Sequence, residues 1–308
     1  MRVLVLGLGD IARKAYLPAL AAIPGLELHL ATRNAQVLAE LGAAYRIENL
    51  HQSITFALDA ASFDAAFVHA ATRAHPAIVE QLLRAGVPTF VDKPLADSFD
   101  EAARLVALSE EVGRLLMVGF NRRYAPDYAA LVDRPRDVVI MQKHCRGPPD
   151  EPRRTVFDDF IHVVDTLLFL GPKPPERIAI ETQMDGDRLR SATLTLASDA
   201  QVAIGIMHRD SGLDEERLDV IGGGCKSSVL NLSKRREQSG GVESVTRRPD
   251  WSSVSRQRGF EAICADFLAG VREGSVTASR DILETHRLCE EIVRHAEASA
   301  RTSQPPRS

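Results

Sequence analysis

The sequence opens with the run Arg2-Val3-Leu4-Val5-Leu6-Gly7-Leu8-Gly9-Asp10-Ile11-Ala12, and this stretch decides the first half of the fold. Its apolar, β-branched start predicts a buried strand of a parallel sheet, and the residues after the glycines favour a helix. Gly7 can make a tight turn, Gly9 lets the backbone approach a pyrophosphate, and Ala12 allows close packing of helix on strand. The N–H groups of residues 10–12 would face that anion. The pattern predicts a dinucleotide-binding turn, although glycine pairs also occur in ordinary strand–helix turns.

The composition is that of a soluble globular protein. The chain has 308 residues, which suggests two domains, with 44% hydrophobic and 26% charged residues. A net charge of −4 gives no electrostatic reason to expect nucleic acid, so we expect a small-molecule partner. No apolar run reaches the ~18 residues of a membrane span and no cleavable leader is recognisable, so we expect a cytoplasmic protein without membrane contact. The cysteines are widely spaced, which predicts neither disulfides nor a metal site.

Strands and helices alternate over the first 120 residues, as in an α/β fold with a doubly wound parallel sheet. Ligands of such sheets bind beyond the carboxyl ends of the strands. The residues predicted at those ends are Ala71, Thr72 and His75 after the strand at 63–70, Asp92 and Lys93 after the strand at 87–92, and Asn121 and Arg122 after the strand at 115–120.

The second strand, at 26–31, ends in Thr32-Arg33-Asn34, where a ribose-binding Asp or Glu is expected. A hydroxyl and a guanidinium suit a 2′-phosphate, which a carboxylate would repel. Thr32 and Arg33 therefore favour NADP(H) over NAD(H) as the cofactor. The alternative interpretation is that Arg33 is a solvated loop residue, in which case NAD(H) remains a possible cofactor.

Lys93 directly follows a strand and precedes a proline that restricts its backbone. A partly desolvated lysine beside a cationic nicotinamide would have a lowered pKa, which suits proton transfer at a reacting oxygen. A surface lysine at a strand end is the competing interpretation.

A helix is predicted over 155–170, and it carries the most informative polar residues of the second half. A spacing of four puts Asp158 and His162 on one face, with Asp165 near it. A carboxylate one turn from an imidazole can orient it and raise its pKa, as a general acid or base needs. Acids favoured at a helix start, or a metal site, are the alternatives; no further ligand cluster is evident, so we expect no metal.

Alternating runs between 176 and 246 predict a large open, mostly antiparallel sheet with one buried face. We expect its other face to form a homodimer, because a large sheet rarely leaves a face bare. Amphipathic helices at 260–271 and 282–295 follow. The predicted organisation is a dinucleotide-binding domain at 1–120, a substrate-binding and dimerisation α+β domain at 121–296, and a flexible tail at 297–308.

Four motifs in combination resemble the Gfo/Idh/MocA oxidoreductases: Gly7-x-Gly9-x-x-Ala12, Asp92-Lys93-Pro94, Asn121-Arg122-Arg123 and Asp158-x-x-x-His162. The MviM-type branch of the family is the most similar in three segments, 91–96, 117–123 and 158–166. The name of this branch does not specify a reaction. The resemblance extends from Met1 to about His295. It implies an N-terminal Rossmann domain, a C-terminal domain with a mainly antiparallel sheet, and an active site between them.

The resemblance also implies roles for individual residues in a hydride transfer between NADP(H) and a carbonyl or secondary alcohol of a small, sugar-like substrate. Lys93 would polarise the substrate oxygen and contact the cofactor, His162 would be the principal acid/base, and Asp158 would tune it. Family members usually carry Glu at the position of Asp92, a difference that bears on the lysine. The expected substrate contacts are Asn121, Arg122, Lys143 and Arg146.

Three other functions stay open from the sequence. The family's fold also hosts reductases of imines or conjugated acceptors, and redox-neutral glycosidases that use bound NAD. An NADP(H)-sensing binding protein is the alternative outside enzymes. The joint presence of Lys93 and His162 argues against a sensor, which would not need a proton-transfer pair.

Overall fold

The computed structural model describes residues 1–276 and 280–302, which form two compact units. The first comprises Met1–Asn121 and Ser253–Leu283, and the second comprises Arg122–Ser252 and the chain from Glu284 on. The sequence predicted contiguous domains instead, with residues 253–283 in the second. These residues belong to the first unit because Ser255 donates to the carbonyl oxygen of Ala15 at 3.1 Å and Phe267 packs edge-on against Phe67.

The strands within the described residues fall into two sheets. They are β1 (Arg2–Leu6), β2 (Glu27–Ala31), β3 (Leu50–His51), β4 (Ala65–Val68), β5 (Thr89–Val91), β6 (Leu116–Val118), β7 (Val138–Cys145), β8 (Arg177–Asp185), β9 (Arg188–Ala197), β10 (Val202–Arg209), β11 (Glu215–Gly222), β12 (Cys225–Leu230), β13 (Lys234–Ser239) and β14 (Val242–Arg247).

The α-helices pack on the two sheets or connect their strands. They are α1 (Leu17–Ala21), α2 (Ala35–Tyr45), α3 (Ile54–Ala60), α4 (His75–Arg84), α5 (Phe99–Glu111), α6 (Pro126–Ala129), α7 (Pro152–Thr155), α8 (Ile161–Leu170), α9 (Val254–Gln257), α10 (Phe260–Glu273) and α11 (Arg280–Thr302). No helix within residues 1–276 and 280–302 is long and apolar enough to cross a membrane.

The first unit contains a parallel sheet in the order β3-β2-β1-β4-β5-β6, which confirms the doubly wound fold. Its central strand β1 is apolar on both faces, and residues 3–6 are buried. From β1 the sheet continues through β2 and β3 on one side and through β4, β5 and β6 on the other. The topological switch point, where ligands of such sheets bind, therefore lies between β1 and β4. The glycine turn after β1 lies at this point.

The second unit contains an eight-stranded sheet in the order β14-β13-β12-β11-β7-β10-β9-β8. All neighbours are antiparallel except β7 and β10, which confirms the mostly antiparallel prediction. One face of this sheet packs on α8. A Cβ at Gly205 would lie 2.5 Å from Val163 Cγ1, so the absence of a side chain at this position allows the helix to pack closely on the sheet. β13 was not predicted, because its sequence Lys-Arg-Arg-Glu-Gln-Ser has no apolar alternation.

Two predicted elements differ from the structure. The helix expected over 155–170 consists of α7, a π-helical turn at Val156–Phe160, and α8. Asp158 lies in the π turn, so the regular spacing that placed it over His162 does not apply across this junction. The tail expected from residue 297 is helical as far as Thr302, because alanine and glutamate there continue the helix; residues 303–308 lie outside the described part of the chain.

Candidate active site

The glycine turn after β1 leaves room for a ligand at one of its two glycines. Gly7 has a φ of +82°, and a Cβ there would lie 2.4 Å from the backbone nitrogen of Ala70. At Gly9 a Cβ would meet no atom within 4 Å, so the space over this residue is open. Ala12 is fully buried, which brings the helix close to the strand. An open space at the start of a helix suits the pyrophosphate of a dinucleotide.

The loop after β2 presents a guanidinium beside the helix start that follows it. Asn34 caps α2 by accepting from the backbone N–H of Val37 at 3.1 Å, and Thr32 Oγ1 lies 3.5 Å from the N–H of Asn34. Arg33 is exposed and forms no ion pair with any residue of 1–276 or 280–302. Its charge is therefore available to an anionic ligand, as a 2′-phosphate would require.

His75 joins two of the turns at the carboxyl edge of the parallel sheet. It is fully buried, and its Nδ1 and Nε2 each lie 2.8 Å from a carbonyl oxygen, of Pro94 and Ala70 respectively. A carbonyl oxygen only accepts, so each contact is a hydrogen bond where the ring nitrogen carries a proton. The two ring nitrogens of His75 thus face backbone carbonyl groups of two turns, and the cofactor contact expected from the sequence stays a prediction. Ala71 is exposed and Thr72 half-buried at the same edge.

Asp92 and Lys93 follow β5 at the same edge. The Tyr16 hydroxyl donates to Asp92 Oδ1 at 3.2 Å, a support that the sequence analysis missed. Burial raises the pKa of the Asp92 carboxyl, and the positive charge of Lys93 opposes that rise. Lys93 is half-buried and precedes Pro94 through a cis peptide bond. The lysine thus sits beside a buried carboxyl, which partly balances its charge.

Asn121, at the end of the parallel sheet, has a structural partner. Its side chain is nearly inaccessible, and its amide donates to the carbonyl oxygen of Arg258 at 2.8 Å. This contact ties the residues after β6 to the turn before α10. The substrate contact expected for Asn121 stays a prediction.

In the second unit, His162 belongs to a buried polar cluster with Arg122, Glu216 and Tyr128. Arg122 binds Glu216 through two nitrogens, at 2.8 and 3.3 Å, and its Nη1 lies 3.2 Å from His162 Nε2. The Tyr128 hydroxyl donates to Glu216 at 3.2 Å. A guanidinium only donates, so His162 Nε2 accepts and the proton of the neutral ring lies on Nδ1.

Arg122 is charged in this buried cluster. Burial by itself would lower the pKa of its guanidinium, but the charge of Glu216 and the hydrogen bonds to it raise that pKa. Arg122 was predicted to contact substrate, but its side chain is almost wholly buried against Glu216 and His162. Arg122 thus connects the carboxylate of Glu216 to the imidazole of His162.

The carboxylates near His162 all have basic partners. Asp158 is half exposed and lies 3.7 Å from Arg154, whereas Asp165 is buried and accepts two hydrogen bonds from Arg123, at 2.7 and 2.9 Å. Asp159 is shared by Lys143 at 3.4 Å and Arg209 at 3.3 Å. The exposed Arg146 pairs with the equally exposed Asp214, which makes it a surface ion pair.

Three functional candidates escaped the sequence analysis: Tyr128, Arg209 and Glu216. The sequence contains one signal for Glu216: it stands at every second position with Leu218 and Val220, which lie on the buried face of β11. A carboxylate in that phase requires a buried partner. Within residues 1–276 and 280–302 no group of three or more His, Cys, Asp or Glu side chains is arranged to hold a metal.

Comparison with known proteins agrees with this geometry. A family model described as "Oxidoreductase family, NAD-binding Rossmann fold" matches residues 1–120, and one described as "YceM-like, C-terminal domain" matches residues 128–240. The YceM protein of Salmonella typhimurium is 34% identical over 305 residues, which cover 96% of this chain and 98% of that protein. The chain belongs to the Gfo/Idh/MocA family of oxidoreductases.

Solved structures of Gfo/Idh/MocA proteins have the same fold over nearly the whole chain. A family oxidoreductase from Vibrio cholerae superposes with a TM-score of 0.91 at 29% identity, covering 99% of this chain and all of its own. The MviM dehydrogenase from Clostridium difficile gives 0.89 at 29% identity, covering 96% and 99%. The predicted family, fold class and enzyme class are confirmed.

Proposed function

We propose that this Gfo/Idh/MocA protein is an NADP(H)-dependent dehydrogenase that interconverts a secondary alcohol and a carbonyl on a small polyhydroxylated substrate. The observation that carries the proposal is His162, held in a buried cluster that leaves its ring a proton acceptor. Inositol 2-dehydrogenase of Paracoccus denitrificans is 34% identical over 119 residues. A Streptomyces antibioticus relative named as a dTDP-sugar 3-reductase is 32% identical over 139 residues. Both names support a sugar-like substrate.

The cofactor proposal rests on the first unit alone. The open space at Gly9 suits the pyrophosphate, and the exposed Arg33 with Thr32 suits the 2′-phosphate of NADP(H). When bound, the nicotinamide supplies or accepts the hydride. Fold neighbours have been crystallised with NAD⁺ in one case and NADP in another, so the architecture accommodates both dinucleotides.

The chain's own residues handle the proton and the substrate oxygen. In the oxidation direction, His162 removes the hydroxyl proton as the C–H bond gives up its hydride, and the C–O single bond becomes a carbonyl. Arg122 disfavours a second proton on His162, and so maintains the neutral, accepting form. We assign Lys93 to the substrate oxygen, which it would polarise, and Asp158 to tuning the imidazole. The reverse reaction returns the proton from the imidazolium.

Replacing His162 tests this assignment. His162→Ala should lower kcat by at least about 10²-fold in either direction, because general acid–base assistance contributes that much, while dinucleotide binding is retained. Asp158→Asn should cost less, since Asp158 acts only through the imidazole. Turnover that persists unchanged in His162→Ala would refute the assignment. Net accumulation of free reduced dinucleotide separates a dehydrogenase from a glycosidase that recycles its bound cofactor.

Arg33 offers a direct test of the NADP(H) preference by fluorescence titration with NADPH and NADH. Arg33→Ala should weaken NADPH binding about tenfold or more and leave NADH nearly unchanged, because only NADPH carries the 2′-phosphate. Arg84→Ala is the matched control: it removes the same charge from a surface ion pair with Glu80 in the same unit. Equal losses for both dinucleotides would contradict the 2′-phosphate assignment.

We also propose that the outer face of the eight-stranded sheet forms a homodimer. On that face of the central strands, Ile140, Ile204 and Ile206 are only half-buried in the single chain. Packing against a second copy would remove this apolar stripe from water. We further propose a reducing, cytoplasmic compartment, which the free state of Cys145, Cys225, Cys264 and Cys289 supports.

A further inference from the structure

The buried face of the eight-stranded sheet changes from apolar to charged at one end. Met141 of β7 lies between Gly205 of β10 and Leu218 of β11, and this row packs under α8. One step further along, Lys143 lies between Met207 and Glu216. Since strand neighbours on one face are about 5 Å apart, Lys143 is adjacent to the Glu216 that anchors Arg122 and, through it, His162.

Lys143 and Arg209 share a single carboxylate at this end of the sheet. Asp159 lies 3.4 Å from Lys143 Nζ and 3.3 Å from Arg209 Nη1, both longer than a direct charge-assisted hydrogen bond of about 2.8 Å. Lys143 forms no other ion pair within residues 1–276 and 280–302. Arg209 is oriented by donation from its Nε to the carbonyl oxygen of Pro148 at 2.7 Å.

The charges around His162 do not balance. Arg122, Lys143 and Arg209 bring three positive charges, against the two carboxylates of Glu216 and Asp159. Arg122 is paired with Glu216, whereas Lys143 and Arg209 share the single carboxylate of Asp159, so this second group carries one positive charge in excess. One uncompensated cation at a partly buried site favours binding of a monoanion.

We propose that Lys143 and Arg209 form a subsite for a carboxylate of the substrate, so that the substrate is a polyhydroxylated acid such as an aldonate or a uronate. This inference rests on the proposed dehydrogenase function and specifies its substrate class. The strand register places Lys143 beside Glu216, the partner of the guanidinium that contacts His162.

In this subsite Asp159 occupies the position of the substrate carboxylate. Both cations are partly solvent-accessible, with 18% and 14% of their side-chain surfaces exposed, and Asp159 is 31% exposed. An incoming substrate carboxylate therefore displaces the carboxylate of Asp159, which can rotate towards the solvent. Asp159 keeps the two cations paired in the free enzyme and competes with the substrate for them.

The test compares matched acid and neutral compounds: D-gluconate against D-glucitol, and D-glucuronate against D-glucose, each with NAD⁺ and NADP⁺. The wild-type enzyme should prefer the acid of a pair by about tenfold or more in kcat/KM. Arg209→Gln and Lys143→Gln should each raise KM for the acid about tenfold, and more than they raise it for the neutral compound, so that most of the acid preference is lost. Asp159→Asn should instead lower KM for the acid, an improvement that a merely structural role does not produce.

Arg190→Gln is the matched control, because it removes the same charge from an exposed ion pair with Asp185 in the same unit. If no compound turns over, calorimetric titration of the dinucleotide-loaded enzyme with gluconate and glucitol decides. Gluconate binding that depends on Arg209 supports the subsite, and its absence overturns it. Preference for the neutral compounds, or an acid preference that survives both cation variants, also overturns it. Failure to bind either dinucleotide would overturn the proposed function itself.

Discussion

At the scale of single residues, the chemistry of His162 depends on partners far away in the chain. Arg122 is 40 residues before it, and Glu216 is 94 residues after Arg122. Glu216 anchors the buried guanidinium, and in the proposed mechanism the guanidinium favours the neutral form of the imidazole. A neutral ring that accepts at Nε2 is the form that begins alcohol oxidation.

Glu216→Gln tests this chain of contacts. The variant leaves Arg122 buried without its balancing charge, so protonation of His162 becomes less favourable and the acid-side fall of alcohol oxidation should move to lower pH, by about one unit. Cofactor affinity should change little, because the phosphates of the dinucleotide are assigned to Gly9, Thr32 and Arg33 and not to this cluster. The measurement is the pH dependence of kcat/KM. A profile identical to that of the wild type would show that Glu216 does not act through His162.

Because His69 is buried, we expect the free energy of unfolding to fall in acid. Burial lowers the pKa of His69 to about 3, with a smaller contribution from His75, and its ring nitrogens have no hydrogen-bond partner among the described residues. The unfolded chain takes up this proton near pH 6.5, so the stabilisation is complete above that pH. It should fall by about 1.4 kcal/mol per pH unit as the pH drops from 6.5 towards 3.

Unfolding by urea at pH 7.5 and pH 5 measures this effect. The wild type should lose about 2 kcal/mol between the two values from His69 alone, and His69→Phe should not lose that share. Phenylalanine suits the site because Tyr16 stacks on His69 at 4.0 Å and Phe67 and Phe90 surround it. Equal acid losses in both proteins would show that another group is responsible.

At the scale of elements, the two glycines of the first turn have separable tasks. Gly7 requires a positive φ and touches the chain after β4, whereas Gly9 faces open space. The first glycine therefore serves the packing of strand and turn. The second serves the ligand.

Alanine at each position should separate these tasks. Gly7→Ala should lower the free energy of unfolding by about 1–3 kcal/mol, because its Cβ would lie 2.4 Å from Ala70 N. Gly9→Ala should leave the unfolding midpoint nearly unchanged and weaken dinucleotide binding about tenfold or more, since its Cβ enters the space for the pyrophosphate. Thermal unfolding and fluorescence titration measure the two effects. Unchanged affinity in Gly9→Ala would contradict the predicted pyrophosphate position.

At the scale of the whole molecule, the outer face of the eight-stranded sheet predicts the oligomeric state. Ile204→Lys should convert a dimer to a monomer of 33.7 kDa in sedimentation equilibrium, because a charge cannot be buried at an apolar interface without a partner. Ile178→Lys is the matched control: it makes the same change at an exposed position on the other face of an edge strand. A wild-type protein that sediments as a monomer at micromolar concentration would refute the dimer.

Much of the architecture could be predicted from the sequence because it depends on local patterns. The buried strand, the two glycines and the small Ala12 are neighbours in the chain, and they determine the dinucleotide turn without reference to distant residues. Alternation of apolar and polar residues similarly identified most strands of the second sheet. The helix at Phe99–Glu111 depends on equally local signals, because Ser98 caps it and its apolar face is regular.

Only the tertiary structure decided which polar side chains meet. His75 faces two backbone carbonyl groups and Arg122 is a buried partner of Glu216, and neither contact could be predicted from the sequence. No sequence pattern distinguishes Arg209 from the other arginines. It became a candidate because the parallel pairing of β7 with β10 brings it to the same end of the sheet as Lys143. The physical reason is that residue periodicity records which side of an element is buried, whereas hydrogen bonds and ion pairs depend on strand order and register.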